Sequence, residues 1–124
     1  IFHTRFNRNA RERRTLMNMD DYQEQSGKTA IYPKDKALLY LVLGLCSEAG
    51  ELAGKLKKII RDDNGEITPE KVDELADENA DCLWYHNQIN TELGLKSSEV
   101  AQRNLNKLNS RLARGVLGGS GDNR

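Results

Sequence analysis

The chain has 124 residues, 37% of them hydrophobic and 31% charged, and its 19 basic and 19 acidic side chains cancel to a net charge of zero. That length and balance suit a single domain with a modest core and long solvated faces. The longest apolar run, Leu38 to Leu45, is interrupted by Tyr40 and Gly44 and is too short to span a bilayer, and no apolar segment ahead of small residues marks a signal peptide.

The zero net charge hides an asymmetry. Residues 1–16 carry Arg5, Arg8, Arg11, Arg13 and Arg14 against Glu12 alone, which leaves 14 basic and 18 acidic residues, a net of about −4, in 17–124. A basic arm can bind nucleic acid or an anionic surface. This one begins with Ile1 and precedes Met17 and Met19, either of which could open a reading frame. It is read as an extension of uncertain origin, without a site, and nucleic acid is not expected as a partner.

From there the chain divides into helices. A short helix is predicted from Asp20 to Lys28, and Tyr32-Pro33 breaks the pattern because proline disfavours helix in the residue before it. A long helix follows from about Asp35 to Arg61. Asp62-Asp63-Asn64-Gly65 is turn chemistry. Thr68-Pro69 reads as an N-cap with proline at the first helical position, opening a helix that runs to Leu93 and stops at Gly94. Ser97 is expected to cap a last helix ending near Ala113, followed by a glycine-rich tail, Arg114 to Arg124. No segment alternates as a strand would, so the fold class is all-α: a bundle of two long and two shorter helices. Two long helices with wide apolar faces cannot bury them within one small protomer, so dimerisation should complete the bundle.

Two carboxylate pairs interrupt those apolar faces. On the first long helix Leu38, Leu41 and Leu45 step along one stripe, Glu48 takes the next place, and Leu52, Leu56 and Ile59 resume it. On the second, Leu75, Cys82, Tyr85 and Ile89 form a stripe with Glu78 in its middle. Glu51 and Asp81 each follow one turn later. A carboxylate facing a core is costly unless something positive meets it, and four acids pointed at one another repel unless a hard divalent cation lies between them. A metal site of Glu48, Glu51, Glu78 and Asp81 is therefore the leading expectation. A di-iron bundle is disfavoured, because it needs Glu-x-x-His repeats and His86 does not follow a glutamate at that spacing. Cys46 and Cys82 fall inside predicted helices without a second cysteine at ligand spacing. They are read as packing residues in a reduced cytoplasmic interior, and zinc is not expected.

The segment Gly44-Leu45-Cys46-Ser47-Glu48-Ala49-Gly50-Glu51-Leu52, followed after 26 residues (52 to 77, counting Leu52) by Glu78-Asn79-Ala80-Asp81-Cys82-Leu83-Trp84-Tyr85, closely resembles the MazG-like all-α nucleoside triphosphate pyrophosphohydrolases. Their signature is Glu-Glu-x-x-Glu, a spacer, then Glu-x-x-Asp. The resemblance extends upstream to Tyr22-Gln23 and Thr29-Ala30-Ile31-Tyr32-Pro33, and downstream to Asn104-Leu105-Asn106-Lys107-Leu108 with Arg111 and the ending Gly118 to Arg124. Ser47 replaces the first glutamate of the signature, which puts in doubt any role the family gives a fifth carboxylate.

The resemblance implies hydrolysis of a (deoxy)nucleoside triphosphate to the monophosphate and pyrophosphate with Mg²⁺, or Mn²⁺ in its place, as nucleotide-pool housekeeping. It also implies a homodimer or a dimer of dimers. Glu48 or Glu51 is the expected proton acceptor, and the residues leave the choice open. Lys55 and Lys58, beyond Glu51 on nearly the same face, and Asn104, Lys107 and Arg111 on the last helix are the candidates for holding phosphates. Trp84 and Tyr85 could stack on a base, although aromatic residues at helical spacing are commonly core. Two other classes stay open: a non-catalytic helical interaction module, and a pyrophosphohydrolase of another metabolite, of phosphoribosyl-ATP or dUTP type.

Overall fold

The computed structural model describes residues 16–124, and the arginines of the basic arm lie outside the described residues. Four helices make up the described chain, with no strand among them: α1 (Met19–Gly27), α2 (Ala37–Asp62), α3 (Pro69–Glu92) and α4 (Ser97–Ala113). The 3₁₀ turn Lys34–Lys36 leads into α2, where the sequence pattern starts the long helix slightly earlier.

Local chemistry explains most of the boundaries. The Asn18 side chain accepts a hydrogen bond from the Asp21 amide (2.8 Å), and Asp20 and Asp21 sit in the first turn of α1, where the helix dipole favours acids. At the end of α2, Asn64 and Gly65 adopt left-handed backbone (φ 53° and 76°), so the Gly65 amide can reach back to the Ile59 carbonyl. Thr68 accepts from the Lys71 amide with Pro69 at the first position of α3, and Gly94 (φ 70°) ends that helix.

The expected cap at Ser97 is different. Lys96 holds the N-cap position, its amide donating to the Glu99 carboxylate, while the Ser97 hydroxyl turns inward and donates to Asn87 Oδ1 (2.6 Å). Asp20 of α1 takes over the capping, accepting from the Ser98 amide (2.9 Å) and hydroxyl (2.7 Å). A cap supplied by another helix leaves no signal in the local sequence.

The α2–α3 hairpin forms the body of the domain, and α1 crosses α3 and the start of α4. The small apolar core consists of Tyr32, Ala37 and the fully buried Leu41, with Ala30, Trp84, Tyr85 and Ile89 packed around it. The α1 seam is polar. Buried Gln88 donates to Ser26 Oγ (2.9 Å), Asn90 donates to Ser97 Oγ (3.1 Å), and the Gln23 amide group bridges the Leu95 carbonyl and the Ser97 amide. Each of these bonds joins neutral partners, so the seam is buried without leaving a charge uncompensated.

The apolar stripe of α2 is only partly covered. Leu41 and Ile59 are buried, but Leu38 and Leu56 are exposed, as are Leu39, Leu43 and Ile60 beside them and Leu105 and Leu112 on α4. With its lead-in turn, α2 spans Lys34–Asp62, which by length and composition alone is apolar enough to cross a membrane. Glu48 lies at the middle of that span facing the acids of α3, and an ionised carboxylate at a bilayer centre costs about 3 kcal/mol even on lenient scales.

Candidate metal centre

Antiparallel packing of α2 on α3 brings Glu48 opposite Glu78 and Asp81. These two lie one turn apart on the same face of α3. One carboxylate oxygen from each of the three residues lies within 4.8 Å of the others. Glu78 is nearly buried at 9% exposure, Glu48 is half-buried, and Asp81 opens to solvent.

Like charges crowd the site. The Glu48 carboxyl is held above its ordinary value by burial first, then by Glu51, Asp81 and Glu78. The same field reaches its neighbours: burial, followed by Glu48 and Asp81, pushes the Cys82 thiol up, and burial with Asp81 raises the Tyr22 phenol. Three converging hard oxygen donors whose like charges crowd one another fit a hard divalent cation, which would relieve the repulsion and keep some of its own waters.

The predicted residues separate into distinct places. Glu51 is exposed and outside the three-oxygen group, but near enough to lift Glu48. Lys55 reaches across to α3, its Nζ 2.7 Å from Glu78 Oε1 and 3.5 Å from the Glu74 carbonyl oxygen. Lys58 is exposed near Asp62, ten residues beyond Glu48 and so about 15 Å along the helix. Asn104 and Lys107 are exposed and line a separate groove of about 440 Å³ with Asn90, Leu93 and Arg103. Asn90 follows Asp81 by nine residues, about 13 Å along α3. Arg111 is buried, its guanidinium donating to the Asp122 carbonyl (2.9 Å) of the folded-back tail. Within one protomer, α4 therefore does not bring its cations to the carboxylates.

Next to the acids lies an open cleft of about 330 Å³ lined by Thr29, Glu48, Asp81, Trp84 and Tyr85. A larger groove of about 570 Å³ beside α1 is remote from the three carboxylates and is lined by Asp20, Gln23 and Leu95 among others. In the smaller cleft the Trp84 indole donates to Thr29 Oγ1 (2.8 Å), and the Trp84 and Tyr85 rings meet edge to face at 5.0 Å.

Two contributors lack a role in the sequence reading. Thr29 anchors Trp84 from a loop 55 residues away, which no local pattern reveals. Gly44 is where the Tyr85 ring packs, and a Cβ there would fall 2.1 Å from Cε1 of that ring. A glycine inside a strong helical pattern was the available signal for that close approach, although α2 also carries Gly50 and Gly54, where a Cβ would meet nothing.

Residues 37–115 match the model of the MazG nucleotide pyrophosphohydrolase domain, a stretch that holds all four predicted carboxylates and the Trp84-Tyr85 pair. The chain is also 49% identical over 114 residues to the Gene 37 protein of Mycobacterium phage L5, covering 87% of this chain and 100% of that relative. No solved structure gives a significant match. The matched stretch covers α2, α3 and α4 and with them Glu48, Glu51, Glu78 and Asp81, and on this match the chain belongs to the MazG nucleotide pyrophosphohydrolase family.

Proposed function

We propose that the chain is a divalent-metal-dependent pyrophosphohydrolase that converts a (deoxy)nucleoside triphosphate to the monophosphate and pyrophosphate in nucleotide-pool housekeeping, with Mg²⁺ the expected ion and Mn²⁺ able to replace it. The observation that carries this reading is the convergence of Glu48, Glu78 and Asp81 oxygens at the mouth of an aromatic cleft. Glu48, Glu78 and Asp81 would hold the ion directly, with Glu51 completing the set through a modest side-chain movement or a water. When bound, the ion supplies neutralisation of the triphosphate and a water that ionises more readily than bulk water.

The protein's own groups do the rest. Trp84 and Tyr85 offer apolar ring surface to a base, and Thr29 fixes the indole plane. Glu48, with its raised proton affinity, or Glu51 accepts the proton of the attacking water. The water oxygen bonds to the α-phosphorus, the bond from that phosphorus to the bridging oxygen breaks, and pyrophosphate leaves. Lys55 and Lys58 are the cations on α2 for the phosphates. Asn104, Lys107 and Arg111 would serve a site only from a second protomer or after the tail moves. A homodimer or homotetramer that covers the exposed leucines of α2 and α4 would allow the first of these.

The test is pyrophosphate release from a panel of dNTPs and NTPs with Mg²⁺, beside Glu51→Gln and Asp81→Asn. Metal-dependent release that collapses in both variants supports the enzyme, and the preferred nucleotide names its substrate. Absence of release from every nucleotide, together with no metal binding, would favour a helical interaction module. Sedimentation of the same protein reads the oligomeric state.

A further inference from the structure

Lys55 occupies an unusual position for a surface cation. Its stem runs half-buried along α2, and its ammonium lies 2.7 Å from Glu78 Oε1 and 3.5 Å from the Glu74 carbonyl, both on α3. Glu78 is the most buried of the three clustered acids, the one least able to be neutralised by water. No other cation among the described residues makes a salt bridge to Glu48, Glu78 or Asp81. A lysine this close to one of three mutually repelling carboxylates lowers the cost of bringing them together before any ligand arrives. The same charge must weaken the hold of those carboxylates on a second cation.

We propose that Lys55 is a built-in counter-cation of the carboxylate centre: it pairs with Glu78 in the metal-free protein and opposes the divalent ion there, setting a weaker and more readily reversed metal affinity. This inference rests on the metal reading given above. Coulomb's law sets the scale. A monovalent and a divalent charge about 5 Å apart in a water-like medium at physiological salt repel enough to change affinity roughly fivefold to tenfold. Lysine suits the part because its ammonium is a point charge on a flexible stem, able to swing away without breaking a two-pronged contact.

The experiment titrates Mn²⁺, without nucleotide, into the full chain by calorimetry and follows the metal-free and Mn²⁺-loaded Tm. Lys55→Met and Lys55→Gln are compared with wild type, with Lys55→Arg keeping the charge and Lys57→Met removing an exposed α2 charge that makes no ion pair with the acids. The expected result is about fivefold tighter Mn²⁺ binding in Lys55→Met and Lys55→Gln, a lower metal-free Tm and a larger rise in Tm on adding Mn²⁺. Lys55→Arg and Lys57→Met should stay within about twofold of wild type. Unchanged or weaker Mn²⁺ binding without the Lys55 charge, or equal tightening in Lys57→Met, overturns the inference while leaving the metal centre standing. Failure of wild type and every variant to bind Mn²⁺ overturns the metal reading, and this inference with it.

Discussion

Two polar regions meet α3 at different levels along its length, and they solve the same problem differently. In the seam with α1 and α4, Gln23, Ser26, Gln88, Asn87 and Ser97 satisfy one another through neutral hydrogen bonds. In the interface with α2, Glu48, Glu78 and Asp81 face one another with a single lysine among them. The seam is electrically complete without a ligand, which is the mark of a group of residues that holds a fold together. The acid cluster is incomplete, and an incomplete site in the middle of a rigid helix pair is where binding energy can be gained.

The two regions should therefore respond to mutation in opposite ways. The largest effect is expected at the acids: Asp81→Asn should lower metal-dependent pyrophosphate release by about 100-fold or more, the scale of a lost catalytic metal ligand. In the same cluster Glu48→Gln should raise the metal-free Tm by about 1–3 °C. The Glu48 carboxyl titrates above its ordinary value in the fold, so its charge costs stability once pH exceeds the unfolded value, and the gain should fade as pH falls towards 4. A metal-free Tm that drops on Glu48→Gln would contradict the account of the cluster as a strained, ligand-ready site.

In the seam, Ser97→Ala leaves buried Asn87 and half-buried Asn90 short of a partner and should cost about 1–3 kcal/mol in denaturant unfolding, with the acid cluster's Mn²⁺ affinity unchanged. A comparable cost is expected where the two regions' packing meets the cleft: Gly44→Ala drives a methyl into the Tyr85 ring, and overpacking of this kind costs about 1–3 kcal/mol. Because that ring lines the cleft, Gly44→Ala should also raise KM for the nucleotide, a change Ser97→Ala should not produce.

The smallest effect is a pH signature away from both. The Tyr32 phenol, buried and bonded to Glu92, is pushed up to about 12. A raised phenol means that the contribution is whole below pH 10 and is lost as pH climbs from about 10 to 12. Tyr32→Phe should flatten the alkaline end of the stability profile over that window, read by thermal unfolding at stepped pH.

Much of this organisation was legible in the sequence because the rules that write it act within one helical turn. Thr68-Pro69, Asn64-Gly65 and Gly94 place the ends of α2 and α3, and the acids at Glu48 and Glu78 stand out because they break apolar stripes of period 3.6. The family signature lies within those same two helices.

What only the tertiary structure decided depends on how each helix is rotated and docked. It drew Glu48, Glu78 and Asp81 together and left Glu51 at the rim, set Lys55 on Glu78, turned the Ser97 hydroxyl inward so that Asp20 caps α4, and folded the tail over Arg111. Sequence spacing says which residues share a face of one helix. The contact between faces is set by packing across tens of residues, and the oxygens, cations and rings that meet there are chosen by that packing alone.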